Sequence, residues 1–371
     1  MRAVIVSHTY ANPAARGKLR ALVGQGVALA AAVPARWTPP SATELLHTPF
    51  AEDNGVRIVP IPTAGREPGG APASWQSSAL RRLLTDFRPD IVQVEEEPST
   101  RVAAAVTRWA RQLGIPAVAF TTETLSRAHP LFARTRRRRT LTRASGIVGA
   151  NAVAAGLVRL HYPGLAWASI PQLGLPVPRA LALEPHPPLA IGFVGRLVPE
   201  KGLDVLLRAC VRLHGAWTLT VAGTGPAQEK LEALAERLGV ASRVTWLGAI
   251  PQRDLASLWP RIDCLVAPSR TTARWVETYP VQVLEAMGHG VMVVTSDSGA
   301  LPETVNGAGL VFREDHPDGL TDALTRLIAD AGFRERLAAD GRRRVIAEYV
   351  DDAIARKTLT FWRAVREGSK A

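Results

Sequence analysis

The chain of 371 residues contains only two cysteines and three methionines, and aromatic residues make up 6% of it. Cys210 and Cys264 both sit in apolar surroundings. That pattern argues against a disulfide framework or a cysteine-built metal centre and for small buried hydrophobes in a reducing compartment. Long hydrophobic runs are missing as well. ALVGQGVALAAAV at 21–33 is too short and too interrupted by glycine to cross a bilayer, which takes roughly 20 helical residues. MRAVIVSHTY puts a β-branched run directly after the first methionine, with no small-residue cleavage site. It reads as a buried first strand and not as a signal peptide, so a cytoplasmic protein is expected. Zinc and RNA-binding signatures, short-period repeats and low-complexity tracts are absent, apart from one arginine cluster.

Negative charge is the scarcer sign, with 33 acidic residues against 45 Lys and Arg and a formal net charge of +12. The densest basic cluster, RTRRRR at 134–139, has no aromatic residues interleaved, which argues against a nucleic-acid partner. Anionic lipid headgroups or a phosphorylated acceptor remain, with a solvated helix face as the alternative. Peripheral contact of a basic amino-terminal domain with the inner face of the plasma membrane is therefore an expectation.

With 47% hydrophobic and 21% charged residues, the composition is that of a globular protein. Its length, at roughly 150 residues per domain, predicts two domains. In the first half, short apolar runs at 3–7, 90–94, 116–120 and 145–150 alternate with stretches of helical length. That rhythm predicts a parallel sheet with crossover helices. Six prolines between Pro171 and Pro188 interrupt it, too many for the interior of an element. The rhythm restarts with strands at 189–195, 217–223, 243–248, 263–269 and 291–297. The expected organisation is an α/β protein of two Rossmann-like, doubly wound domains. A first domain spans 1–175, a proline-rich linker 176–188 and a second domain 189–345. A helical segment, 346–371, is expected to pack back toward the amino-terminal domain.

Several stretches carry candidate chemistry. In FVGRLVPEKGLDVLLRA a strand runs into Gly195 and Arg196, and Lys201 precedes an amphipathic helix. A planar guanidinium, a point-charge ammonium and a helix start suit an anionic ligand. VAGTGPAQEK repeats the plan, with Gly223 and Gly225 letting the backbone approach a ligand and Pro226 near a helix start. In ETYPVQVLEAMGHG, Pro280 opens a helix, so Glu285 projects from its second turn while Glu277 stays on the preceding loop. Two carboxylates along one groove can accept hydrogen bonds from the hydroxyls of a ribose and a sugar.

Together VGRLVPEKGLD, VAGTGP, LVAPSR and the two glutamates followed by AMGHGVMVVTSDSGALPETV resemble the carboxyl-terminal half of the retaining glycosyltransferases of family 4, over roughly residues 190 to 315. The resemblance implies the GT-B fold, with an acceptor-binding domain, 1–175, and a nucleotide-sugar-binding domain, 189–345, facing each other across a cleft. It implies a nucleotide-diphosphate sugar as donor substrate and transfer to a glycan or lipid-linked acceptor with retention, in hexosyltransferase-like chemistry that needs no metal or other cofactor. Surface polysaccharide or glycoconjugate synthesis is the expected setting. Arg196 and Lys201 are implied to bind the donor diphosphate, Glu285 the ribose, and Glu277 to face the donor sugar. Where members usually show Glu-x-Phe-Gly, this chain has Glu277-Thr278-Tyr279-Pro280, and proline has no N–H to offer a donor hydroxyl.

The amino-terminal half matches less specifically. In SHTYANPAARGKLRAL, Arg16, Gly17 and Lys18 are candidates to receive phosphate at a helix start, and His8 is a candidate polar contact. Glu95, Glu96 and Glu97 follow a strand, where an acceptor-orienting residue would be expected, although a solvated acidic loop is an alternative. A His near the transferred sugar is common in the family. The comparable stretch here offers Thr121, Thr122 and Glu123, with His129 further on. A sugar-nucleotide epimerase of the same shape and a non-catalytic nucleotide-sugar-binding partner in a polysaccharide assembly complex are the competing functions.

Overall fold

A computed structural model describes residues 1–38, 45–66, 72–126, 130–179 and 189–368. The chain forms two compact units, Met1–Gly174 joined by the segment from Asp351, and Leu175–Val350. Residues 176–179 of the expected linker go with the second unit, and 180–188 lie outside the described residues.

The first unit is built on β1 Arg2–Val6, β2 Ala28–Pro34, β3 Ala51–Asp53, β4 Val56–Ile61, β5 Ile91–Val94, β6 Ala117–Thr121, β7 Gly146–Gly149 and β8 Ala166–Ser169. They form one sheet in the order β8-β7-β6-β5-β1-β2-β4-β3. Every pairing in it is parallel except β3 with β4. The apolar runs at 3–7, 90–94, 116–120 and 145–150 become β1, β5, β6 and β7, whereas β2 and β8 carry no comparable local signal; β4, VRIVPI, is a further β-branched strand beyond those expected. The β2 segment ALAAAVP is rich in alanine, the best helix former. Yet Ala30, Ala31 and Ala32 are fully buried between β1 and β4, so tertiary packing overrides local propensity.

The apolar stretch near the carboxyl terminus is two helices, Ala331–Glu348 and Asp351–Gly368. They part at Tyr349 and Val350, where the chain leaves the second unit for the first. The last helix places Ile354, Leu359, Trp362 and Val365 in one core with Ile5, Leu19 and Val118. It also closes on the helix Gly17–Gly24, because a Cβ at Gly17 would come within 1.8 Å of the Asp351 carboxylate.

The second unit contains β9 Leu189–Val194, β10 Trp217–Ala222, β11 Val244–Gly248, β12 Cys264–Ala267, β13 Met292–Ser296 and β14 Leu310–Phe312. All are parallel, in the order β11-β10-β9-β12-β13-β14. Each of the five strands expected here is present. Apolar layers cover both faces, one around Ile191, Phe193, Leu206 and Leu219 and the other around Leu265, Leu284, Met287 and Val293. Cys210 and Cys264 are free and buried; burial pushes the Cys210 thiol up to about 12 and raises that of Cys264 as well. Among the described residues no helix is long and apolar enough to cross a membrane.

In an open parallel sheet, ligands bind beyond the carboxyl ends of the strands, where the strand order reverses. That point lies between β9 and β12 in the second unit and between β1 and β5 in the first.

Candidate active site

At the switch point of the second unit, β9 runs into Gly195 and Arg196, and β12 into Pro268 and Ser269. A single turn, Pro199–Lys201, and the left-handed Gly202 then lead into the helix Leu203–Cys210. Gly202 has a φ of 68°, and a Cβ there would stand 1.9 Å from the Pro268 carbonyl oxygen. The close approach keeps Lys201 beside the end of β12. The Glu277 backbone is pinned from the other side, its carbonyl accepting from the Ala300 N–H at 2.9 Å.

These constraints bring together two residues 76 positions apart: Lys201 Nζ donates to Glu277 Oε2 at 2.6 Å. Ser269 Oγ donates to the same oxygen at 3.0 Å. Glu277 is 7% exposed, and the Lys201 ammonium lies 5.0 Å from the centroid of the Trp275 ring. An ammonium has three donors, of which Glu277 occupies one. A small cavity beside the pair is lined by Phe193, Ala267, Ser269, Lys201, Glu277 and Gln282, among others. Arg196 is exposed on its loop, and Glu285 is half-buried on the helix Val281–Gly288. Neither forms part of that cavity wall. Ser269, within LVAPSR, is a site residue not expected from the sequence; its place at the carboxyl end of a switch-point strand is the signal that marks it.

The glycines divide into two kinds. Gly223, at φ 140°, packs its backbone so tightly on the Gly195 carbonyl that a Cβ would lie 1.8 Å from the oxygen, and one at Gly225 would lie 2.4 Å from the Leu197 oxygen. Gly195 itself has room, its nearest would-be Cβ contacts being at 3.8 Å. Gly223→Ala should therefore cost on the order of 3 kcal/mol from strain and clash, lowering Tm by roughly 6–12 °C. Gly195→Ala should leave Tm unchanged. Thermal melts of the two variants check this; equal melting temperatures would mean that the packing at Gly223 is misjudged.

The switch point of the first unit holds a buried polar network. Glu95 is 2% exposed and accepts from Lys18 Nζ at 2.5 Å, Tyr10 Oη at 2.6 Å and Gln93 Nε2 at 2.6 Å. Gln93 in turn accepts from Trp362 Nε1 on the last helix at 2.6 Å. Burial, reinforced by Glu95, holds the Tyr10 phenol well above its usual range. Glu96 Oε1 accepts from both the backbone N–H of His8, at 2.7 Å, and its ring Nδ1, at 2.6 Å. With Nδ1 donating to a carboxylate, a neutral His8 ring presents Nε2 as its acceptor. Glu97 accepts from Thr121 Oγ1, Thr122 Oγ1 and the Thr122 N–H; burial raises its carboxyl above the usual range against those three bonds.

The three glutamates are thus not a solvated loop. Each is folded inward and bonded, because a buried carboxylate without partners would be too costly to keep charged. Lys18, expected to meet a phosphate, is 1% exposed and committed to Glu95. Gly17 has a packing reason in Asp351. Arg16 donates to the Tyr10 and Ala11 carbonyls and to Asp53, whose carboxyl is lowered to about 2 by Arg20 and then Arg16. His129 lies outside the described residues.

Residues 11–168 match the family described as Glycosyl transferase 4-like domain, and residues 180–344 the family Glycosyl transferases group 1. The chain belongs to the glycosyltransferases of family 4 type. A GDP-mannose-dependent alpha-(1-6)-phosphatidylinositol monomannoside mannosyltransferase of Mycobacterium tuberculosis is 36% identical over 178 residues, 46% of this chain and 46% of the relative. An uncharacterized glycosyltransferase of Methanocaldococcus jannaschii is 33% identical over 180 residues, 47% of this chain and 45% of the relative. The chain thus spans about half the length of the curated relatives it matches. Among solved structures, sucrose-phosphate synthase from Thermosynechococcus elongatus superposes with a TM-score of 0.65 at 16% identity, covering 99% of this chain and 100% of that one. Anabaena HepE in complex with UDP gives 0.67 at 16% identity, covering 98% and 100%. At those identities the likeness concerns the fold alone, which is GT-B: two Rossmann-like units with parallel sheets.

Proposed function

We propose that this glycosyltransferase moves a sugar from a nucleotide-diphosphate sugar to a glycan or lipid-linked acceptor with retention of configuration and without a metal, in surface polysaccharide or glycoconjugate synthesis. The observation that carries the proposal is the Lys201–Glu277–Ser269 cluster at the switch point of the second unit. It sets a cation and a carboxylate side by side, as a diphosphate joined to a sugar requires. Lys201 keeps two donors for the diphosphate and holds Glu277 toward the sugar hydroxyls; Arg196 adds an exposed guanidinium fork and Glu285 takes the ribose. As the glycosidic bond breaks, negative charge grows on the leaving phosphate oxygen, where fixed cations act most strongly. The acceptor hydroxyl oxygen bonds to the anomeric carbon on the face from which the diphosphate leaves, and the leaving phosphate oxygen takes its proton. His8, oriented by Glu96, offers Nε2 to a hydroxyl of the acceptor.

The relatives' names include GDP-mannose as donor, and a structural neighbour was solved with UDP, so both nucleotides belong in the test. A ligand bound only by the folded state at a hundredfold excess over Kd adds about 2.7 kcal/mol. One of UDP or GDP should therefore raise Tm by several degrees, and the matching sugar nucleotide should give a product whose anomeric configuration is read by NMR. No shift with either nucleotide would overturn the proposal. Epimerisation of the donor in the absence of an acceptor would favour the epimerase instead. Contact with anionic membrane is supported by the helix Leu131–Leu141, which exposes Leu131 and Phe132 beside its arginines. Salt-sensitive flotation with anionic liposomes is the corresponding measurement.

A further inference from the structure

At the amino ends of the first sheet, on the opposite edge from Glu95, Glu96 and Glu97, lies a groove of about 780 Å³. Pro89 and Asp90 lead into β5 there, Pro116 into β6 and Ser145 into β7. Its wall carries four arginines, Arg88, Arg111, Arg143 and Arg366, over an apolar floor that includes Leu84, Ile115 and Pro116. Among the described residues Asp90 is the only carboxylate on that wall. It is already engaged, accepting from Arg366 Nη2 at 3.1 Å and from the Arg2 N–H at 2.8 Å.

Among the described residues no acidic side chain pairs with Arg88, Arg111 or Arg143. Arg143 is half-buried. Burial, and then the like charges of Arg139, Arg108 and Arg111, lower its affinity for its proton. Solvated arginines on a convex face repel one another little, because water and salt screen them. In a concave groove with apolar walls the field is focused, and an uncompensated cluster attracts counter-charge. Guanidinium forks match phosphate oxygens two at a time.

We propose that this groove is a second anion site, which binds a phosphate-bearing ligand of two or more negative charges between Arg88, Arg111, Arg143 and Arg366. It is separate from the nucleotide site proposed above, being confined to the first unit and to the far edge of its sheet. The chemistry is shared by soluble phosphate compounds and by phosphomonoester lipid headgroups, and two probes tell them apart.

Pyrophosphate binding by calorimetry and flotation with phosphatidic-acid vesicles are measured on the full chain, on Lys201→Ala, whose nucleotide site lacks its fixed cation, and on Lys201→Ala with Arg111→Gln/Arg143→Gln added. The expected result is that at least one probe still binds Lys201→Ala, and that adding the two arginine changes weakens that remaining binding roughly tenfold or more. Pyrophosphate alone would mark a soluble ligand and vesicles alone a headgroup. Because Arg143 sits among like charges, the triple variant should also melt no lower than Lys201→Ala. Should it fail to fold, Lys201→Ala with Arg88→Asn, at an exposed rim position whose φ of 47° asparagine accepts, carries the same comparison. Binding that survives the arginine changes, binding already lost in Lys201→Ala, or no binding of either probe overturns the proposal.

Discussion

Lys201→Ala is expected to lower kcat/KM by about a hundredfold, the loss that follows when one fixed group facing a developing negative charge is removed, on the order of 3 kcal/mol. A second consequence separates this from simple loss of ligand. Glu277 is 7% exposed and would keep only the Ser269 hydroxyl, so the variant should also be destabilised, by roughly 3 kcal/mol, as when one member of a buried ion pair is deleted. Lys201→Ala/Glu277→Gln should recover much of that stability, since a neutral amide needs no cation, and none of the activity. Melting curves and initial rates on the three proteins give the answer. A Lys201→Ala enzyme as fast as the parent would remove the diphosphate role.

Lys18→Met is expected to have the largest effect on folding. It leaves the Glu95 carboxylate, 2% exposed, with neutral donors only, at a cost of about 3–5 kcal/mol and a fall in Tm of roughly 6–20 °C. Lys18→Met/Glu95→Gln should regain most of the loss, because the amide still accepts from Tyr10 and carries no buried charge. If Lys18 instead serves a phosphate, the single variant would melt like the parent and bind nucleotide more weakly. Differential scanning calorimetry with a nucleotide titration separates the outcomes.

The second unit was far more legible in the amino-acid sequence than the first. Its strands are continuous β-branched and apolar runs ending in Gly, Ser or Asp, because both faces of a parallel sheet are covered. Local composition therefore reports them directly. Alanine-rich β2 and β8, with its exposed Ala166 and Trp167, have no such composition, and their strand character comes from the neighbours they join. The same difference applies to the sites. Gly223 was singled out as a residue of close approach, and its close partner is the Gly195 carbonyl. Glu95, Glu96 and Glu97 read equally well as solvent-exposed or functional, since a run of carboxylates says nothing of what will pack over it.

By itself the sequence determined where strands end, which residue types stand at those ends and to which family the motifs belong, since periodicity and turn chemistry are local properties. Only the tertiary structure decided which charges meet. Lys201 reaches Glu277 across 76 positions and Lys18 reaches Glu95 across 77. The physical reason is desolvation: a charge removed from water must find its counter-charge within a few ångströms, and which one is near depends on how distant segments pack.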